Sequence, residues 1–306
     1  MKILVFGSRG LVGSSTVKTL KEKNIYKQII ASNREDTNLF DYNSTYKTIS
    51  EESPDVIVNA AARVGGIVAN NTNRFEFIVE NLKINLNILE SIKDFKNIRL
   101  INLGSSCIYP LDADNPIKEE YIMSGKLEPT NSPYAMAKLT AIEIGNSMKQ
   151  QFGMNITNLM PTNLYGPNDN FSETESHVIP GLIRRMHNAK INNDDKFKIW
   201  GTGNPKREFL YAEDLAEAIN FVISNEISEE ILNVGSNEEV TIKQLAEIIQ
   251  DNIDYEGALT FDKSKPDGNP RKLLDSTKIF ELGWKPKVKL ENGIDKTYKW
   301  FLGNIV

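Results

Sequence analysis

The chain has 306 residues and a net charge of −5. That length suits one large α/β core or two closely joined lobes, and the charge argues against a nucleic-acid binder, which needs a basic face. A single cysteine, Cys107, and two histidines, His177 and His187, rule out an internal disulfide framework and a cysteine-rich zinc site.

Strands and helices alternate through the first half. MKILVFG runs straight into a glycine pattern, so residues 2–6 read as a buried first strand and not as a signal peptide. Helical spacing covers 10–21, and a second strand is expected at 27–31. Third and fourth strands are expected at 55–59 and 98–103, with one long helix over 72–94 between them. A helix at 132–151 leads into a strand at 155–160. This alternation predicts an α/β fold with a Rossmann-type doubly wound parallel sheet.

Beyond residue 165 the loops lengthen, prolines 167, 180 and 205 appear, and shorter helices are expected. Strands are expected at 197–200 and 231–234. Thr241 and Gln244 have capping-box spacing and open a helix to about residue 250. Residues 262–275, rich in Lys, Pro, Gly and Arg, read as a functional loop. The most apolar stretch, 56–69, is broken by Asn59, Arg63 and two glycines. No stretch reaches the roughly 18 apolar residues of a membrane span, so a cytoplasmic protein is expected.

Gly7, Gly10 and Gly13 form GxxGxxG between the first strand and the first helix. Glycines there permit a tight turn and let the backbone approach a pyrophosphate at the helix N-terminus. The second strand ends in Ala31-Ser32-Asn33-Arg34. An NAD enzyme usually places a carboxylate at that point, whereas Arg34 with Arg9 forms a clamp for a 2′-phosphate. The cofactor is therefore predicted to be NADPH/NADP.

Tyr134 and Lys138 form YxxxK, and positions i and i+4 share one helix face. A free tyrosine, with a pKa of about 10, is a poor acid–base group at neutral pH. A nearby ammonium and an oxidised nicotinamide ring favour its phenolate. The fourth strand ends in Gly104-Ser105-Ser106-Cys107, where open α/β sheets bind their ligands. Ser105, in preference to Ser106, is expected to hydrogen-bond a substrate carbonyl.

GSSCIYP at 104–110 and EPTNSPYAMAK at 128–138 closely resemble the GDP-L-fucose synthases, extended short-chain dehydrogenase/reductases that act as GDP-4-keto-6-deoxy-D-mannose 3,5-epimerase/4-reductases. AAARVGGIVANNT at 60–72, MPTNLYGPNDNF at 160–171, SHVIP at 176–180 and KPDGNPRKLLD at 265–275 are similar too, so the resemblance runs along nearly the whole chain. It departs mildly at Arg63, where a lysine is expected.

The resemblance implies a smaller C-terminal α/β nucleotide-sugar-binding lobe. The cofactor domain would be 1–165 plus about 212–240, and the substrate lobe about 166–211 plus 241–306. Ser105, Tyr134 and Lys138 match the family's reducing residues, and Cys107 and His177 match its epimerising ones. NADP contacts would come from Gly7, Arg9, Gly10, Leu11, Val12, Gly13, Arg34, Ala61, Lys138, Pro161, Asn163, Leu164 and His177. A GDP-linked 4-keto sugar would be held by Arg185, Trp200, Arg207 and Asp267, with Lys272 a further candidate. A homodimer built on helices 72–94 and 132–151 is also implied. Two alternatives stay open: a C4-reductase of another GDP-4-keto sugar, such as a heptose, with little or no epimerisation, and a catalytically silent NADP-binding protein.

Overall fold

The computed structural model describes residues 1–264 and 267–306; Lys265 and Pro266, which open the KPDGNPRKLLD segment, lie outside the described residues. In chain order the first half runs β1 (Lys2–Phe6), α1 (Leu11–Lys23), β2 (Gln28–Ser32), α2 (Tyr42–Glu52), β3 (Val56–Asn59), α3 (Ile67–Thr72), α4 (Arg74–Ile92), β4 (Arg99–Leu103), α5 (Ser132–Phe152) and β5 (Ile156–Pro161). The second half runs β6 (Asn163–Tyr165), α6 (Val178–Ile191), β7 (Lys196–Trp200), β8 (Lys206–Tyr211), α7 (Ala212–Ser224), β9 (Ile231–Val234) and β10 (Glu239–Thr241). It finishes with α8 (Ile242–Ile253), β11 (Ala258–Asp262), β12 (Arg271–Lys272), α9 (Thr277–Glu281) and α10 (Leu290–Asn304).

Among the described residues, six strands form one sheet in the order β2-β1-β3-β4-β5-β9, every pairing parallel. The central strands are near-continuously apolar because both faces are covered. Ile3, Val5, Val58 and Ile101 pack with Leu20 of α1 and with Leu215, Ile219 and Val222 of α7. On the other face Leu4, Phe6, Ile57 and Leu100 pack with Ile84, Ile88 and Ile92 of α4 and Met148 of α5. Each such side chain, fully buried, contributes about 1.5–3 kcal/mol. A separate cluster joins α6, α8, α10 and strands β7 and β8.

Polar residues tie the sheet together at the strand ends. Asn59, Asn102 and Asn158 occupy one register row across β3, β4 and β5. Asn59 Nδ2 donates to Asn102 Oδ1 (3.0 Å), and Asn102 Nδ2 donates to Asn158 Oδ1 (3.1 Å). Asn59 Oδ1 accepts the Ala61 N–H (3.2 Å), which fixes the chain as it leaves β3. Buried amides are tolerated because they satisfy one another.

The seven expected strands fall within one residue of their places, whereas β6, β8, β10, β11 and β12 were not expected; the capping box forms: Gln244 N–H donates to Thr241 Oγ1 (3.1 Å) and Thr241 N–H to Gln244 Oε1 (2.9 Å). Other expectations need correction. The helix expected at 72–94 is two helices, α3 and α4, separated at Asn73, whose φ of −106° and ψ of 45° are not helical. Helix α2 was not expected; only Thr45 and Ile49 are buried in it, and Asp41 caps it by accepting the Ser44 N–H at 2.7 Å. Helices after residue 165 are shorter than the two long ones before it, as expected: α6, α7 and α10 have 14, 13 and 15 residues, against 19 and 21 for α4 and α5. The loop expected at 262–275 contains β12. No helix among the described residues is long and apolar enough to cross a membrane.

Candidate active site

The glycine loop is shaped by close contacts. Gly7 has φ of 76°, and a Cβ there would lie 2.8 Å from the Ala60 and Ala61 backbone. A Cβ on Gly13 would lie 2.0 Å from Gly7 O. Gly10 differs: a Cβ there would meet no atom closer than Gly7 O at 3.6 Å. Packing alone does not demand glycine at that position. The space lies at the start of α1, where the first-turn N–H groups of Leu11, Val12 and Gly13 have no partner within the helix. This cradle fits a dinucleotide pyrophosphate.

Ala61 follows β3 and Pro161 ends β5, while Asn163 and Leu164 lie in β6, which pairs with β8; Asn163 Nδ2 donates to Glu208 O (2.8 Å). The two arginines at the second strand do not form a ready clamp. Arg9 Nη1 pairs with Glu35 Oε2 at 2.7 Å, and the Arg34 guanidinium lies 5.8 Å from the centre of the Phe40 ring.

The serine, tyrosine and lysine converge at the end of β4. Lys138 is buried, and its Nζ donates to Leu103 O (2.7 Å), 5.8 Å from the centre of the Tyr134 ring. Burial pushes its ammonium down to about 8. The Ser105 side chain lies close enough to the Tyr134 hydroxyl to lower its pKa, and Ser105 Oγ accepts the Cys107 N–H (3.2 Å). Ser106 is buried in the turn, which favours Ser105 as the carbonyl partner. The expectation that the lysine makes Tyr134 a phenolate needs correction for the free protein. Burial, and then negative charge on Cys107, raise the Tyr134 pKa well above the usual phenol value, while the Ser105 side chain opposes them. Tyr134 therefore stands protonated, as a proton donor should.

Cys107 lies in a one-turn 3-10 helix, Ser106–Ile108. The Asn131 amide sits 3.3 Å from Sγ. Turned so that its nitrogen donates to Glu128 Oε2 and O (3.3 Å each), it directs its oxygen at the thiol. Lys272 Nζ lies 3.8 Å from the same sulfur. His177 comes from another element, at the N-cap of α6. The residue is exposed, yet protein crowds it enough for lost hydration to lower its pKa below the usual value. It is a neutral imidazole at neutral pH. Arg63 pairs with Glu80 (2.7 Å) and lies 5.3 Å from the Phe77 ring, whose edge meets Tyr134.

The candidate sugar-nucleotide residues form a second wall. Arg185 lies over the rings of Phe197 (4.9 Å) and Trp200 (5.8 Å) and donates to Lys198 O. Trp200 is 58 % exposed. Asp267 accepts from Thr202 N–H (2.8 Å) and Thr202 Oγ1 (2.7 Å), and these bonds hold its carboxyl below the usual range. Arg207 donates to Asn269 O (2.6 Å) and feels the Asp267 charge. In the β8–β12 register Lys272 lies beside Arg207. Through Lys272 this wall reaches Cys107, although sequence reasoning gave Lys272 only to the nucleotide. Sequence reasoning also missed Glu208, a fully buried carboxylate whose Oε1 accepts Asn237 N–H (2.8 Å) and whose Oε2 accepts Leu274 N–H (3.1 Å). A charge in an apolar strand, REFLY, was its only signal.

A protonated tyrosine beside a buried lysine, at the same sheet edge as a pyrophosphate cradle, is an arrangement for adding hydride and proton to a carbonyl. It places the chain among the Rossmann-fold, dinucleotide-dependent oxidoreductases. The chain belongs to the NAD dependent epimerase/dehydratase family, whose model matches residues 3–235. It is 45% identical over 306 residues to the "Probable GDP-L-fucose synthase 1" of Oryza sativa subsp. japonica, covering 100% of this chain and 93% of the relative. Among solved structures it is similar to a GDP-L-fucose synthetase from Naegleria fowleri bound to NADP, with a TM-score of 0.89 and 30% identity, covering 99% of this chain and 94% of that one. It is also similar to a GDP-6-OMe-4-keto-L-xylo-heptose reductase from C. jejuni, with a TM-score of 0.91 and 30% identity, covering 99% and 97%.

Proposed function

We propose that the chain is an NADPH-dependent GDP-4-keto-6-deoxymannose 3,5-epimerase/4-reductase that makes GDP-L-fucose, working as a cytoplasmic homodimer. The observation that carries this reading is the meeting of the only thiol in the sequence with Ser105 and Tyr134 at one strand end. A simple ketone reductase needs no thiol there. Residues 1–165 with about 212–240 would form the cofactor domain, and about 166–211 with 241–306 the sugar-nucleotide lobe.

A C4 ketone acidifies the hydrogens at C3 and C5. Cys107 and His177 serve as the base and acid that remove a proton from one face and return one to the other. Ser105 and Tyr134 hold the enolate oxygen meanwhile. When bound, the reduced dinucleotide supplies hydride to C4. Tyr134 then gives its proton to the C4 oxygen, and Lys138, anchored on Leu103 O, supports the charge and binds the nicotinamide ribose. Arg185 and Arg207 neutralise the diphosphate, and Trp200 stacks on guanine. Turnover with a panel of GDP-4-keto sugars tests the reading. Oxidation of NADPH with the 6-deoxyhexose and formation of GDP-L-fucose are expected. Turnover with a heptose substrate alone would favour the C4-reductase alternative, and no turnover with any would favour a silent binding protein.

Binding of NADPH over NADH is expected to depend on Arg34. A charge-assisted phosphate contact is worth about 1.5–3 kcal/mol, more than the roughly 0–1 kcal/mol of an exposed ion pair such as Arg9–Glu35. Arg9 would thus part from Glu35 and hold a 2′-phosphate beside Arg34. Arg34→Ala should weaken NADPH about tenfold or more and leave NADH nearly unchanged in fluorescence titrations. Equal loss for both would remove Arg34 from the phosphate site.

The homodimer is supported by an apolar face on α4 and α5. Phe75, Leu86 and Met136 are 71%, 46% and 48% exposed there, more than isolated surface residues require. Phe75→Arg with Met136→Arg should shift light scattering from a dimer mass to a monomer mass. An unchanged dimer mass would place the interface elsewhere.

A further inference from the structure

We infer that Lys272 is a catalytic residue of the epimerisation, the charge partner of the Cys107 sulfur, and not solely a ligand of the sugar nucleotide. The contact is long-range, 165 residues apart in sequence, with Nζ 3.8 Å from Sγ. The inference deepens the epimerase reading and rests on it for the reaction, though not for the contact.

The fold fixes Lys272 from both sides. Its two-residue strand β12 pairs with β8, Arg271 opposite Lys206 and Lys272 opposite Arg207. Just beyond it, Leu273 N–H donates to Asn115 Oδ1 (2.8 Å) and Leu274 N–H to Glu208 Oε2 (3.1 Å). Glu208 is itself held rigidly: Oε1 takes the Asn237 N–H, and a Cβ on Gly235 would lie 2.2 Å from that oxygen. A buried carboxylate that accepts backbone N–H groups from two further segments locks the strand in register, and the register aims Lys272 at the thiol. The groups facing Cys107 are Ser105, Asn131 with Glu128 behind it, and Tyr134 with Lys138 behind it. Among these described contacts, Lys272 is the cation that reaches Sγ.

The chemistry needs such a cation. When Cys107 takes a proton from the sugar ring, an electron pair of the thiolate forms the new S–H bond. The C–H electrons pass into the enolate, whose oxygen Ser105 and Tyr134 hold. Negative charge thus moves from sulfur to oxygen, and the reverse step returns it to sulfur. Lys272 keeps its proton throughout and stabilises the sulfur whenever it is anionic.

The single thiol makes the test direct, because iodoacetamide labelling of the substrate-free protein reports Cys107 alone. The labelling rate is followed by mass spectrometry at about pH 7.5, where thiolate content governs reactivity. Lys272→Gln is expected to slow labelling about fivefold or more, the lower limit for opposite charges about 4 Å apart in water. Lys272→Arg keeps the charge and should stay within about twofold of the parent on the same ground. Lys272→Met, which keeps the packing of the stem, should match the glutamine variant, and unchanged NADPH titrations confirm that the variants are folded. Labelling of the glutamine and methionine variants at the parent rate would overturn the inference, as would equal slowing in the arginine variant. Because no sugar is present, these outcomes are independent of whether the chain epimerises.

Discussion

Tyr134→Phe is expected to lose reduction by about 10²–10⁴-fold, the usual contribution of a positioned general acid, while NADPH still binds. The hydroxyl that is removed lies beside Ser105 and is kept protonated by burial. What remains is the structural part of the residue. The ring still meets the edge of Phe77 at 6.4 Å, and Lys138 keeps its anchor on Leu103 O. NADPH fluorescence titration should therefore give a parent-like affinity beside a collapsed oxidation rate. Turnover within about tenfold of the parent, far less than a lost general acid costs, would move the acid role to another residue.

Cys107→Ser is expected to separate the two halves of the reaction. The hydroxyl keeps nearly the size of the thiol but is a far weaker acid, so it is not a base at neutral pH. Proton transfer at C3 and C5 should fall by about 10²–10⁴-fold. Reduction needs Tyr134, Ser105 and Lys138; Lys138 keeps its anchor on Leu103 O, and Ser105 Oγ keeps the backbone N–H of residue 107. The variant should still oxidise NADPH with a 4-keto sugar that already has the product's configuration at C3 and C5. Loss of both activities to the same extent would show that the thiol shapes the whole site and does not act in one step.

What could be read from sequence was what local spacing encodes. GxxGxxG at a strand–helix junction demanded close backbone approach, and Gly7 and Gly13 show it. YxxxK placed two groups on one helix face, and Tyr134 and Lys138 meet at the end of β4. The parallel sheet followed from apolar runs of strand length. What could not be read depended on burial or on partners far away in the chain. Asn73 looked helical because the break lies in its backbone angles and in the packing of α3 after Gly66. The pairing of Glu35 with Arg9 left no mark in the order of residues. Lys272 and Cys107 meet only because Glu208 sets the β12 register, three positions with no local pattern in common. The tyrosine's charge state was also hidden, since burial, which raises its pKa, depends on the packed fold.

Proton movement at carbon before hydride addition separates an epimerase/reductase from a C4-reductase. The most direct measurement is deuterium uptake at C3 and C5 of the product when the wild-type protein turns over GDP-4-keto-6-deoxymannose with NADPH in heavy water. Solvent deuterium at both carbons, keeping pace with NADPH oxidation, is the predicted result. Full reduction of the sugar with no solvent deuterium at either carbon would contradict it and leave a C4-reductase.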